Sequence, residues 1–164
     1  MSFSTKKTQY RPDLDEFITQ CELNYALIQR LLPDWLSFVL GASSNDAIKD
    51  IEWVAQNELL RLSLKVMDIA TYTTTAKLSI RSNVLKDKLA SGNAHQLDVI
   101  VRLYHDARMM EVMEGSGPGA LKAAYPSTDN ERAVDEKQQI NRFIGESLKV
   151  CIYSKVEQLE KNNG

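Results

Sequence analysis

Residues 58–68, Glu58-Leu59-Leu60-Arg61-Leu62-Ser63-Leu64-Lys65-Val66-Met67-Asp68, decide the fold class. Leu60, Leu62, Leu64 and Val66 fall on one side of an extended chain, and Arg61, Ser63 and Lys65 fall on the other. Alternation of this kind marks a strand with one buried and one wet face, the habit of antiparallel sheets. Two further stretches repeat it. Residues 72–81 set Tyr72, Ala76, Leu78 and Ile80 against Thr73, Thr75, Lys77, Ser79 and Arg81. Residues 97–104 set Leu97, Val99, Val101 and Leu103 against Asp98, Arg102 and Tyr104, with Ile100 out of pattern. Shorter strands are expected at 35–42, 51–56 and 108–114. Apart from the polar stretch 83–94, the connections are short, which predicts hairpins in sequence order.

On either side of this region the period changes to that of a helix. Leu14, Phe17, Ile18, Cys21, Tyr25, Ile28, Leu31 and Leu32 form an amphipathic stripe. Pro12 and Asp13 mark its start, Asp15 and Glu16 suit its N-terminal dipole, and Pro33 is expected to end it. A second stripe, Ile140, Phe143, Ile144, Leu148, Cys151, Ile152 and Leu159, predicts a C-terminal helix. Asp135 is its expected N-cap, with Gln138 three residues on completing a capping box. Strands bracketed by helices give an α+β fold: an antiparallel meander of five or six strands packed against N-terminal and C-terminal helices. One domain is expected over 13–160, with 1–12 a flexible tail and the chain fraying from Glu160.

Composition agrees. A chain of 164 residues with 43% apolar and 26% charged residues is one globular domain's worth of sequence. Its net charge of −2 argues against a protein built mainly to neutralise nucleic-acid phosphates. No apolar run approaches the roughly 20 residues of a membrane helix. Residues 1–11 carry Lys6, Lys7 and Arg11 without the hydrophobic run of a secretory signal. Cys21 and Cys151 form no CxxC pair, which predicts two free thiols in the cytoplasm.

Motifs for common chemistries are missing: no HExxH, no GxSxG, no phosphate-binding loop and no dinucleotide fingerprint. With only His95 and His105 and two distant cysteines, neither a metal cage nor a cofactor is expected. The glycine stretch 115–119 lacks a following Lys-Ser/Thr and reads as a connector. The densest polar block is Arg102-Leu103-Tyr104-His105-Asp106-Ala107-Arg108, followed by Glu111. Here His105 is the candidate general base, oriented by a carboxylate such as Asp106, Glu111 or Glu136. The plainer reading makes His105 a hairpin histidine and Asp106 its turn residue. A second block, Asp135-Glu136-Lys137-Gln138-Gln139-Ile140-Asn141, is what any helix start prefers. Asn141, like Asn24, borders an apolar stripe and needs partners if buried. The wet side of the sheet gathers Arg61, Lys65, Lys77, Arg81 and Arg102 among Ser63, Thr73, Thr75 and Ser79, a basic, hydroxyl-rich face in an acidic protein. Such a face would suit phosphate groups or an acidic partner surface; solvation and protection of sheet edges would also explain it. It lacks the exposed aromatics of single-strand RNA platforms, so nucleic acid is the weaker expectation.

Several blocks together resemble the YqiB-like family of small bacterial cytoplasmic proteins. They are Cys21-Glu22-Leu23-Asn24-Tyr25 with Leu31-Leu32-Pro33, the stretch Arg102 to Ala107 with Glu111-Val112, Tyr125-Pro126, and Asp135 to Phe143. They run in the family's order over most of the chain. Ser147 stands where the family has a Trp, Ser127 where it has an Asn, and the middle of this chain is longer. The resemblance implies bacterial origin and cytoplasmic location, and brings no activity with it. It implies one polar site if the last helix starts over the sheet edge carrying the Tyr104–Arg108 turn.

The readings rank as follows. The leading one is a non-catalytic binding or adaptor protein, taking a protein partner or a phosphorylated ligand. It would use the basic face (Arg61, Lys65, Lys77, Arg81) and the Arg102–Arg108 turn, with Arg102, Tyr104, Arg108, Glu111, Lys137 and Asn141 as ligand contacts. The alternative is a small hydrolase or isomerase acting on an anionic substrate, with His105, Asp106 and Glu136 as catalytic candidates. An uncovered apolar helix face pairing two copies into a homodimer comes last.

Overall fold

The computed structural model describes residues 13–41, 51–83, 96–113 and 130–160, with the side chains of 130–135 and 160 left aside. The expected tail 1–12, nearly all of the polar stretch 83–94, the glycine stretch 115–119 and Tyr125-Pro126 lie outside the described residues.

Helix α1 runs Leu14–Leu31. Its N-cap is Asp13, whose carboxylate accepts from the backbone N–H groups of Asp15 and Glu16, both at 3.1 Å. Pro33 ends it as expected and at once begins another helix, α2 (Pro33–Gly41), where a strand was expected over 35–42. Proline is at home in a first helical turn, where its missing N–H costs nothing. The run Trp-Leu-Ser-Phe-Val-Leu is apolar nearly throughout, so periodicity could not separate strand from helix. Burial does: Trp35, Leu36 and Val39 face inward at helical spacing.

The strands are β1 (Ile51–Gln56), β2 (Leu60–Ile69), β3 (Thr73–Ser82), β4 (Gln96–Tyr104) and β5 (Met109–Val112). They form an antiparallel meander, confirming the α+β class and the main strands. Asn57 makes the β1–β2 turn: its side-chain oxygen accepts from the N–H groups of Leu59 and Leu60 at 2.8 and 2.9 Å. The third helix, α3, occupies Asn130–Cys151, so Asp135 lies inside it and is not its N-cap. It also stops before Leu159. The chain turns through residues 152–154 and returns as a sixth strand, β6 (Lys155–Glu160), antiparallel to β1. The sheet order is therefore β5-β4-β3-β2-β1-β6. Lys155-Val156-Glu157-Gln158-Leu159-Glu160 has no alternation because the strand sits at an edge with little to bury.

The helices cover one face of the sheet. Leu62, Leu64, Leu78, Val99, Val101 and Leu103 are buried beneath Tyr25, Ile28, Ile144 and Leu148 in one core. Each such side chain contributes about 1.5–3 kcal/mol, more than most single polar contacts at the surface. Helices α1 and α3 come close at Gly145, where an added Cβ would stand 2.7 Å from Asn24 Oδ1. Buried Asn24 completes that junction: its Nδ2 donates to the Asn141 carbonyl at 2.9 Å, and its Oδ1 accepts from Gln20. Arg142 and Glu16 form an ion pair across the same helices.

Candidate functional site

The polar residues marked in the sequence sort into three places. The first is the β4–β5 turn, His105–Arg108, beneath α1. The His105 ring is held on both sides: Nδ1 lies 3.0 Å from the Tyr25 hydroxyl and Nε2 lies 2.8 Å from the Thr74 hydroxyl. A neutral imidazole has one donor and one acceptor, so two hydroxyls satisfy it in either tautomer. Burial pushes its pKa below the ordinary 6.5, with Asp106 working the other way. Asp106 itself accepts from the Ala107 N–H at 2.9 Å, closing the turn. Arg108 ends the turn at φ +53°, in the left-handed region that a non-glycine side chain resists by about 1–2 kcal/mol. Its guanidinium opposes the upward push that burial gives the Tyr25 hydroxyl.

Neither Tyr25 nor Thr74 stood out in the sequence. Thr74 left a signal, since it is a polar residue at a position where the alternation of β3 calls for an apolar one. Tyr25 left none, because an amphipathic stripe does not say whether a tyrosine is present for its ring or its hydroxyl.

The second place is the edge strand β5. Glu111 stands opposite Arg102 in register, accepts from the Tyr104 hydroxyl at 2.8 Å and pairs with Lys137 of α3 at 3.2 Å. Lys137 also lies over the Phe17 ring, 5.7 Å from its centre. Lys137, in the third turn of α3, thus stands over this edge. Burial first, then the Glu111 hydrogen bond and charge, raise the Tyr104 pKa. Burial, aided by Glu111, pushes the nearby Cys21 thiol up to about 12. Glu136 is half-buried and stands outside both networks, while Asn141 Nδ2 turns back to the Lys137 carbonyl at 3.1 Å. The polar residues thus fall into two hydrogen-bond networks, one holding His105 between Tyr25 and Thr74, the other joining Tyr104 and Glu111 of the first block to Lys137 of the second.

The third place is the sheet face turned away from the helices. In register, Arg61 stands opposite Arg81 and Lys65 opposite Lys77, with Ser63 opposite Ser79 between the two pairs. Like charges directly across a ladder repel. Among the described residues none of these four cations enters an ion pair. Among the described residues Arg61 reaches the Gln56 side-chain oxygen, at 3.5 Å. Asp98, on β4 beside Ser79, accepts from Ser79 and Gln96. Burial would raise its pKa, but those hydrogen bonds and the charges of Lys77 and Arg81 together bring it below 3.8. Among the described residues no three His, Cys, Asp or Glu side chains converge as a metal site would need.

The family described as "Protein of unknown function (DUF1249)" matches residues 41–157, well over half of the chain. The chain belongs to that family. It is similar to uncharacterized protein YqiB of Escherichia coli K12, at 29% identity over 147 residues, covering 88% of this chain and 91% of that protein. The YqiB proteins of E. coli strains CFT073 and O157:H7 give the same figures. No solved structure matches. The family match takes in β1–β5 and the β4–β5 turn; it begins at the last residue of α2 and ends within β6. Tyr25, which holds His105, lies outside it. No helix among the described residues is long and apolar enough to cross a membrane.

Proposed function

We propose that this is a non-catalytic binding protein whose open sheet face takes a phosphorylated ligand. One observation carries the reading: two like-charged pairs, Arg61–Arg81 and Lys65–Lys77, stand in register, and among the described residues none of the four enters an ion pair, even though Glu52 stands opposite Lys65. A sheet selected for stability alone would place opposite charges or threonines there. The repulsion is relieved when an anion bridges each pair, and Ser63 stands between the pairs with a hydroxyl to donate to it, the Ser79 hydroxyl being donated to Asp98. Both nitrogens of His105 are already engaged, which gives less support to a general base at that turn. Two buried free thiols, Cys21 and Cys151, support residence in the reducing bacterial cytoplasm.

Titration calorimetry with tripolyphosphate at low salt tests the reading. The wild type binds, and Arg61→Thr/Arg81→Thr or Lys65→Thr/Lys77→Thr weakens binding about tenfold or more, since each lost charge-assisted contact is worth about 1.5–3 kcal/mol. Threonine keeps strand propensity, so the fold survives. Binding weakens further as salt rises. Absence of binding by the wild type, or equal binding by the variants, rejects the face.

A further inference from the structure

We propose that the ligand of this face is a linear chain of phosphate groups lying along β2 and β3, an inference that rests on the binding role just proposed. The charges draw a strip, not a broad basic surface. Four of the face's five cations sit on two adjacent strands, about 5 Å across, while the fifth, Arg102 on β4, stands opposite Glu111. Arg61 and Arg81 form one row and Lys65 and Lys77 another, four residues along, or ~13 Å at the rise of an extended strand. Ser63 and Ser79 fill the row between.

Acidic side chains border the strip. Glu52 stands beside Lys65 on β1, and Glu157 on β6 faces Val54, itself opposite Ser63. On the other flank Asp98 stands beside Ser79. A ligand wider than the strip would lay negative charge over negative charge. That disfavours a double helix, whose phosphate ridges are separated by grooves of about 6 and 12 Å. A single row of phosphates, bridging the arginine pair at one end and the lysine pair at the other, meets only cations and hydroxyls.

The strip also says what the chain does not need to carry. Positions 61, 63, 65, 77, 79 and 81 hold no aromatic side chain on which a base could stack. Tyr104, on the same face two strands from β2, is committed to Glu111. Recognition therefore reads charge and spacing, which an inorganic polyphosphate supplies as well as a nucleic-acid backbone does, and without bases to accommodate.

The test compares pyrophosphate, tripolyphosphate, long-chain polyphosphate and a single-stranded oligonucleotide of matched charge, by calorimetry on the full chain at fixed salt. A chain long enough to reach both rows makes the second contact intramolecular. Its affinity per phosphate rises on the order of 10²-fold over that of pyrophosphate. Arg61→Thr/Arg81→Thr or Lys65→Thr/Lys77→Thr removes that gain and returns long chains to short-chain affinity. Arg30→Gln/Lys149→Gln, the same charge loss on helices α1 and α3, leaves it intact. If short anions bind but length brings no gain, or if the helix variant loses the gain equally, the linear-chain inference fails while the anion face stands. Tighter binding of the oligonucleotide than of matched polyphosphate also overturns it, in favour of nucleic acid. If no anion binds at all, the underlying reading fails with it.

Discussion

The His105 turn and the open sheet face are both polar, and they are built in opposite ways. At the turn the imidazole and the carboxylate both have partners inside the protein: Tyr25 and Thr74 hold the His105 ring, and Asp106 accepts from the Ala107 N–H. On the face, two pairs of like charges are set against one another, and among the described residues none of the four cations enters an ion pair. A closed network spends its hydrogen-bonding capacity on the fold, whereas an open one keeps it for something that arrives. The difference lies in satisfaction, not in polarity, and residue types alone do not show it.

The largest expected effect tests the closed side of this contrast. His105→Ala leaves the buried Thr74 hydroxyl without its partner and should lower unfolding free energy by about 1–3 kcal/mol in urea melts. Tripolyphosphate binding should remain as in the wild type. A variant that melts normally but loses the anion would move the site from the face to the turn. The same histidine sets a pH dependence. Burial keeps its folded pKa below the ordinary 6.5, so between those two values the unfolded chain binds more protons. Stability is full above pH 6.5 and is lost as pH falls through 6.5 toward the folded value, and His105→Gln should flatten that slope.

Arg108→Gly is expected to raise stability by about 1 kcal/mol, because glycine adopts the left-handed region without the clash that an L side chain makes. If the gain is absent, the Arg108 side chain contributes to the fold at least as much as its backbone costs. On the face itself the expected stability change is the smallest. Arg61→Thr/Arg81→Thr should change melting by no more than tenths of a kcal/mol on the order of magnitude of a cross-strand pair, and upward, since a repulsive pair is removed. A clear loss of stability would show that the arginines hold the sheet together, and the contrast between closed and open regions would collapse.

Thiol reactivity gives a further check on the helix-covered side. Cys21, buried and pushed up to about 12, and Cys151, also raised by burial, should resist alkylation at pH 8 until the protein unfolds. Fast modification of either thiol in native buffer would show that α1 or α3 lifts from the sheet.

The sequence by itself determined the fold class, the limits of α1 within one residue, and the positions of the principal strands. It also determined which side of each strand carries the cations. These follow from short-range periodicity, because a strand repeats every two residues and a helix every 3.6, wherever the rest of the chain goes. Tertiary structure alone decided that the apolar run after Pro33 is helical and that Lys155–Glu160 is a strand, since an all-apolar segment and an exposed edge both lack a readable period. It alone decided that His105 meets Tyr25, 80 residues away, and that Lys137 reaches Glu111. It also fixed the register that sets Arg61 against Arg81 and Lys65 against Lys77. Alternation assigns a side chain to a face, but its neighbour on that face is chosen by how strands align and helices pack, and those choices are made across the whole chain.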